Sequence, residues 1–315
     1  MSGSGCILLL PARAKLRGEL AQAPSLQKLI GRGDALEDGE AGELGQLARL
    51  FDITPLGLPA AALSRHFDCG DAAGSQWLRA DPAFLQPEMS GVRLMAVGEL
   101  GLRPEESEAL ALAVQPLLGD FGMPLTAPTT TRWYLRVEPG QRLPAFSTPE
   151  DALGDDYGVH LPYGDEGRRW RALLNEAQVL LHNHPVNQAR VAAGRTPANA
   201  LWIWGGGVLP QQVVSGVGTL YAAEPLACAL AQLSGISIER IESDELPEQL
   251  DDAAIDLRGA RSLEALESAV FAPLLDRVGR GKLSSLTVDF GDGHGWNYRR
   301  SHGLRLWKRP ATSFE

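Results

Sequence analysis

Short apolar runs set off by glycine and proline alternate along this chain with longer stretches of helical periodicity. Ile7-Leu8-Leu9-Leu10, bounded by Gly5 and Pro11, reads as a buried strand. Residues 24–30 predict a short helix with Pro24 at its start and Gly31 past its end. Residues 34–62 read as a helical region broken by Pro55 and Pro59, and residues 70–74 as loop. A strand is predicted over 93–97. Arg103-Pro104-Glu105-Glu106 opens a helix through Leu118, its early carboxylates suiting the N-terminal dipole. Residues 132–137 form an aromatic, β-branched strand pattern.

The second half repeats the alternation. Residues 143–167 are rich in proline and glycine and read as loop. Trp170, Leu173, Leu174, Ala177, Leu180, Leu181 and His184 then recur at helical spacing, and Pro185 kinks or ends that helix. Strands are predicted over 201–204, 219–222 and 236–241, with an apolar helix over 226–233. Residues 243–252 are acidic and read as exposed. Residues 263–278 form an amphipathic helix. A strand over 283–290 runs into Gly291-Asp292-Gly293, a turn that favours a hairpin back through residues 296–298. Strands alternating with helices make the fold class α/β.

Composition narrows the partners. The 315 residues carry a net charge of −10, which argues against a general nucleic-acid or membrane-surface role. A small anionic ligand then needs arginines gathered locally. Cys6, Cys69 and Cys228 are widely spaced and odd in number, fitting neither a metal site nor a disulfide framework. The first ten residues lack a signal-peptide pattern, and no apolar run approaches the length of a membrane span. A cytoplasmic protein is expected.

The most specific chemistry lies in one run: His182-Asn183-His184-Pro185-Val186-Asn187-Gln188-Ala189-Arg190, then Gly194-Arg195-Thr196-Pro197-Ala198-Asn199, then Trp202-Ile203-Trp204-Gly205-Gly206-Gly207. If the helix continues past Pro185, then Asn183, Asn187 and Arg190 share one face. Carboxamides beside a guanidinium suit a phosphate or carboxylate. Glycines after a strand let main-chain N–H groups reach an anion. The candidate ligand-binding residues are therefore His184, Asn187, Arg190, Asn199, Trp204, Gly205 and Gly207. The competing reading is a polar seam joining two subdomains, with the tryptophans as core. His182 and His184 diverge by roughly 200° on a helix and have no acidic partner nearby, so no metal is expected there. Asp289-Phe290-Gly291-Asp292-Gly293-His294 could hold a divalent metal, but the hairpin reading is favoured. Ser75, in a glycine-rich loop, shows no activating base. Trp307-Lys308-Arg309 is a basic, aromatic tail.

The central run resembles the cofactor-independent phosphoglycerate mutases of the archaeal type, members of the alkaline phosphatase superfamily. The resemblance is sharp over residues 181–210 and weaker on both sides. Through Trp77-Leu78-Arg79-Ala80-Asp81-Pro82 and Arg132-Trp133-Tyr134-Leu135-Arg136, the chain resembles still more the short bacterial RpfE-type regulatory proteins. The resemblance implies a reduced alkaline-phosphatase-like sheet core over 1–75 and 211–315, with an inserted α+β subdomain over 76–210. Enzymes of that superfamily carry a metal-binding Asp at the end of the first strand, where this chain has Pro11 or Ala12. They carry a Ser or Thr nucleophile, which has no counterpart here, and an Asp-His pair at the last strand, where Asp289 is followed by Phe290. Phosphoryl transfer of that kind depends on metal ions. The implied protein is a degenerate member: regulatory, without cofactor or metal, and binding a phosphorylated or carboxylated small molecule. Two alternatives remain open. One is an active mutase or phosphatase using Asp289, Asp292 and His294. The other is an interaction module whose central motif is a hinge.

Overall fold

The computed structural model describes residues 5–89, 91–240 and 246–314, which form two compact units. Met1–Gly57 with Gln211–Glu315 make the first, and Leu58–Pro210 the second. The first unit opens with β1 (Cys6–Leu10), α1 (Pro24–Arg32), β2 (Asp34–Ala35), α2 (Glu43–Leu50) and β3 (Phe51–Thr54). The second unit follows, with α3 (Ala60–Cys69), β4 (Gln76–Glu88), β5 (Gly91–Val97), α4 (Pro104–Asp120), β6 (Leu125–Thr126), β7 (Tyr134–Val137), α5 (Pro149–Ala152), α6 (Gly164–His182), α7 (Pro185–Ala192) and β8 (Ala200–Val208). The chain then completes the first unit with β9 (Gln212–Ser215), β10 (Thr219–Tyr221), α8 (Pro225–Ser234), β11 (Ser237–Glu239), β12 (Ala253–Asp256), α9 (Leu263–Leu266), α10 (Ala272–Gly279), β13 (Ser285–Phe290) and β14 (Gly295–Arg299).

The first unit is α/β. Its seven strands run in the order β11-β10-β12-β1-β13-β14-β2, parallel from β11 to β13 and antiparallel at β14 and β2. The Ile7–Leu10 run becomes the middle strand because nothing in it is polar. Leu8 lies between Ile255 and Val288, and Cys6, Leu8 and Leu10 share a core with Leu26, Phe271 and Leu274. The amphipathic helix read over 263–278 is present. It comprises α9, a π-helical turn over Glu267–Phe271, and α10. The hairpin around Gly291-Asp292-Gly293 also forms, as β13 and β14.

The second unit is built on an antiparallel sheet around β4, which pairs with β5, β7 and β8. Helices α4 and α6 cover one face through Leu110, Val114, Trp170 and Leu174, which pack with Leu78, Leu135 and Ile203. On the other face Ala61 and Ala62 of α3 pack with Trp77 and Tyr134. That packing places residues 58–75 in the second unit, where the sequence reading had put them in the first.

Other elements differ from the sequence reading. Residues 34–62 are not one helical region; only Glu43–Leu50 is helical before the short strand β3. Residues 76–88, given no element, form the longest strand. Their prolines hid it, because proline removes a ladder donor from a central strand. At Pro82 the loss is harmless. The Ala80 N–H bonds the Trp133 carbonyl and the Pro82 carbonyl accepts from Gly98, so the absent N–H falls in the gap between β7 and β5. The loop read over 143–167 contains α5 and a 3-10 turn over Tyr157–His160. Of the strand read over 236–241 and the acidic segment over 243–252, residues 241–245 lie outside the described residues.

Leu8→Ala is expected to lower unfolding stability by about 2–5 kcal/mol through the cavity it leaves, read as a fall in the urea midpoint.

Candidate functional site

Ligand sites of open α/β sheets lie beyond the carboxyl ends of the parallel strands. In the first unit those ends are crossed by arginines. Arg49 of α2 grips Asp289 with both ends of its guanidinium: Nε donates to Oδ2 at 2.9 Å and Nη2 to Oδ1 at 2.7 Å. One helical turn earlier, Gln46 donates its amide to the Leu10 carbonyl at 3.0 Å and the Asp289 carbonyl at 2.8 Å, tying the ends of β1 and β13 together. Arg13 donates Nε to Asp292 at 2.7 Å. Arg258 binds Asp256 through Nε at 2.9 Å and Nη2 at 2.6 Å. Its Nη1 lies 2.9 Å from Glu43, and its Nη2 lies 3.6 Å from Glu224.

Glu43 stands in the first turn of α2, and Glu224 caps α8 by accepting from the Leu226 and Ala227 N–H groups. Burial, then the neighbouring charge of Glu224, push the Glu43 carboxyl up to about 7, against the pull of Arg258.

This donor set does not fit the metal centre that the family resemblance implies. Both Asp289 oxygens face Arg49, Asp292 faces Arg13, and His294 turns its Nδ1 to Asp38 at 2.9 Å. β1 ends at Leu10 and is followed by Pro11 and Ala12. Among the described residues, no group of three His, Cys, Asp or Glu side chains is placed to hold a metal ion.

The central sequence run lies wholly in the second unit. α6 ends at His182 and α7 begins at Pro185, with His184 as its N-cap: the ring Nδ1 accepts from the Val186 N–H at 3.3 Å. The break separates Asn183 from the face it was expected to share. Its amide returns to the Val179 carbonyl at 2.9 Å. Asn187 and Asn199 each treat one peptide unit as a strand partner. Asn187 accepts from the Ala198 N–H at 2.9 Å and donates to the Ala198 carbonyl at 2.8 Å, and also to the Leu181 carbonyl. Asn199 accepts from the Leu85 N–H at 2.8 Å and donates to the Leu85 carbonyl at 2.9 Å, extending the β8–β4 ladder by one rung.

Arg190 is 1% exposed. It donates Nε to the Thr196 carbonyl, Nη1 to Gly101 and to Glu106 at 2.7 Å, and Nη2 to the Leu100 carbonyl. Glu106, in the first turn of α4, also accepts from the Arg103 N–H and from the Arg103 and Arg195 side chains. Burial alone would raise its carboxyl, but these donors hold it down at about 2.

The residues chosen for an anion are therefore brought together in part, and as a lock. Their polar groups bind the protein's own carbonyls and Glu106, so an anion at Arg190 would have to displace a buried carboxylate. Trp204 shares no partner with them. Its indole N–H donates to Asp81 at 2.8 Å, beside the buried Arg79–Asp81 pair. Gly205 and Gly207 present no N–H cradle. A Cβ at Gly205 (φ +69°) would lie 3.0 Å from the Ala60 Cβ, and one at Gly207 (φ +156°) 2.6 Å from the Pro59 Cβ. They are glycine so that α3 can rest against β8. A groove of about 420 Å³ runs past His182, Gln178, Val92 and Asn199, and among the described residues no Lys or Arg lines it, which leaves it poorly suited to an anion.

Arg13, Arg49 and Arg258 were not identified from the sequence. Only Asp256 and Arg258, two residues apart after an apolar run, hinted at a pair.

No family model matches the chain. It is similar in part to phosphoglycerate mutases. It is 30% identical over 99 residues to a probable 2,3-bisphosphoglycerate-independent phosphoglycerate mutase of Geobacter sulfurreducens, covering 30% of this chain and 25% of the relative. Against the Methanosarcina acetivorans enzyme of that name it is 32% identical over 95 residues, covering 29% and 24%. The matched stretch thus spans about a quarter of these relatives' length. Among solved structures, a cofactor-independent phosphoglycerate mutase of Thermoplasma acidophilum gives a TM-score of 0.40 at 17% identity, covering 94% of this chain and 90% of that one.

Glu106 and Glu43 predict opposite pH dependences. Glu106 titrates in the fold near 2, below its ordinary 4.5, so its stabilisation is present above pH 4.5 and lost as pH falls through 2. Glu106→Gln should cost on the order of 2 kcal/mol at pH 7, with the gap to wild type closing toward pH 2. Glu43 titrates in the fold near 7, so its contribution is complete below pH 4.5 and lost as pH rises through 7. Glu43→Gln should therefore raise Tm above pH 7 and leave it unchanged near pH 4.5. Thermal melts across pH check both signs.

Proposed function

We propose that this chain is a non-catalytic relative of the archaeal-type phosphoglycerate mutases, acting in regulation rather than in phosphoryl transfer. In this reading the first unit is a reduced alkaline-phosphatase-like core. The supporting observation is that the carboxylates at its strand ends are held by arginine: Asp289 by Arg49, Asp292 by Arg13, and Asp256 by Arg258. A carboxylate gripped by a guanidinium has much of its charge neutralised, and Arg49 engages both oxygens of Asp289 while Arg13 engages Oδ2 of Asp292. This pairing competes with the metal ions that orient nucleophile and phosphate in metal-assisted transfer, and so supports the non-catalytic reading. The central motif keeps a structural role, pinning β8 and the loop before it. Three free cysteines, two of them buried, suit a reducing cytoplasmic setting. No helix among the described residues is long and apolar enough to cross a membrane.

The test is a mutase assay on the purified chain with 3-phosphoglycerate and added Mn²⁺ or Zn²⁺, run beside thermal melts with 2- and 3-phosphoglycerate. No turnover and no metal-dependent melting shift are expected. A rate of roughly 1 s⁻¹ or more, with stoichiometric bound metal, would overturn the reading.

A further inference from the structure

The end of the first unit carries a surface unlike the rest of this acidic chain. Residues 299–310 contain Arg299, Arg300, Arg305, Lys308 and Arg309 and no acidic residue, against a whole-chain charge of −10. Arg305 is bound to Asp34. Among the described residues, Arg299, Arg300, Lys308 and Arg309 have no carboxylate in ion-pair contact. Between these charges, Leu304, Leu306 and Trp307 are 76%, 77% and 78% exposed. Three large apolar side chains so far out of the fold within four residues are not the scattered apolar atoms of an ordinary surface.

The segment is anchored at both ends. On one side His302 is buried edge-on against Tyr298, with ring centroids 5.6 Å apart, and Arg32 donates to the Gly303 carbonyl. On the other, the Ala311 N–H bonds the Gln27 carbonyl at 2.9 Å. The apolar tips are therefore presented by a fixed scaffold.

We propose that this loop docks the protein on an anionic lipid surface. A bilayer supplies both halves of what the loop offers. Its headgroup charge attracts unpaired Lys and Arg, and its interface accepts protruding Leu and Trp without needing a shaped recess. Leucines give a nucleic-acid base nothing to stack or hydrogen-bond with, which sets RNA second.

Co-sedimentation of the full chain with vesicles tests this. Wild type should pellet with phosphatidylcholine–phosphatidylglycerol vesicles at low salt, fail to pellet with phosphatidylcholine alone, and be released by high salt. The Lys308→Glu/Arg309→Glu double variant should weaken partition by roughly 20-fold or more. Leu306→Ser/Trp307→Ala should weaken it to a similar degree with the charges intact. These four side chains are exposed, so an unchanged Tm is expected and serves as the folding control. Failure of wild type to bind anionic vesicles, or equal binding by wild type and both variants, overturns the proposal. So does binding of a single-stranded oligonucleotide in place of the vesicles.

Discussion

Burying a carboxylate costs several kcal/mol unless a counter-charge and hydrogen bonds accompany it. In each unit of this protein a buried carboxylate that fixes irregular chain lies against arginine. Glu106 gathers Arg190, Arg195 and Arg103, which brings the loop before β8 and the end of α7 onto the first turn of α4. Asp289 gathers Arg49, and Gln46 beside it joins the ends of β1 and β13. Remove the guanidinium and the carboxylate is left uncompensated, so the pairing constrains every segment that supplies a partner.

Carboxamides extend the same principle to uncharged groups. Asn187 and Asn199 carry, on a side chain, the donor and acceptor of a peptide unit, and each closes a two-bond ring on a backbone residue. Neither aspartate nor leucine could do this, since one lacks the donor and the other lacks both groups. A motif rich in Asn and Arg therefore serves here to satisfy backbone that no strand reaches.

The chemistry of the first unit follows from where its charges are used. At the strand ends where an α/β sheet ordinarily opens to a ligand, carboxylates and guanidinium groups neutralise each other. Glu43, nearby, has its carboxyl pushed up to about 7 by burial and by Glu224. The loop around Trp307 carries Arg299, Arg300, Lys308 and Arg309 with no acidic residue between them.

Periodicity by itself determined most helices and strands, because burial of a face writes 3.6- and 2-residue patterns into local sequence. The helix over 263–278 was legible for that reason, while the strand around Leu8 and the hairpin at Asp292 were legible from an apolar run bounded by Gly5 and Pro11 and from the Gly-Asp-Gly turn. β4 was not, because Pro82 looks forbidden until the gap between β7 and β5 is known. The residue types of the site were legible, but their use was not. Arg190, Asn187 and Asn199 have the same hydrogen-bonding groups whether they face an anion or a carbonyl. Only tertiary packing, by bringing Leu100, Glu106, Leu85 and Ala198 within reach, decided between the two. The pairing of Arg49 with Asp289, 240 residues apart, lies beyond any local pattern for the same reason. Charge complementarity over that separation exists only once the sheet has formed.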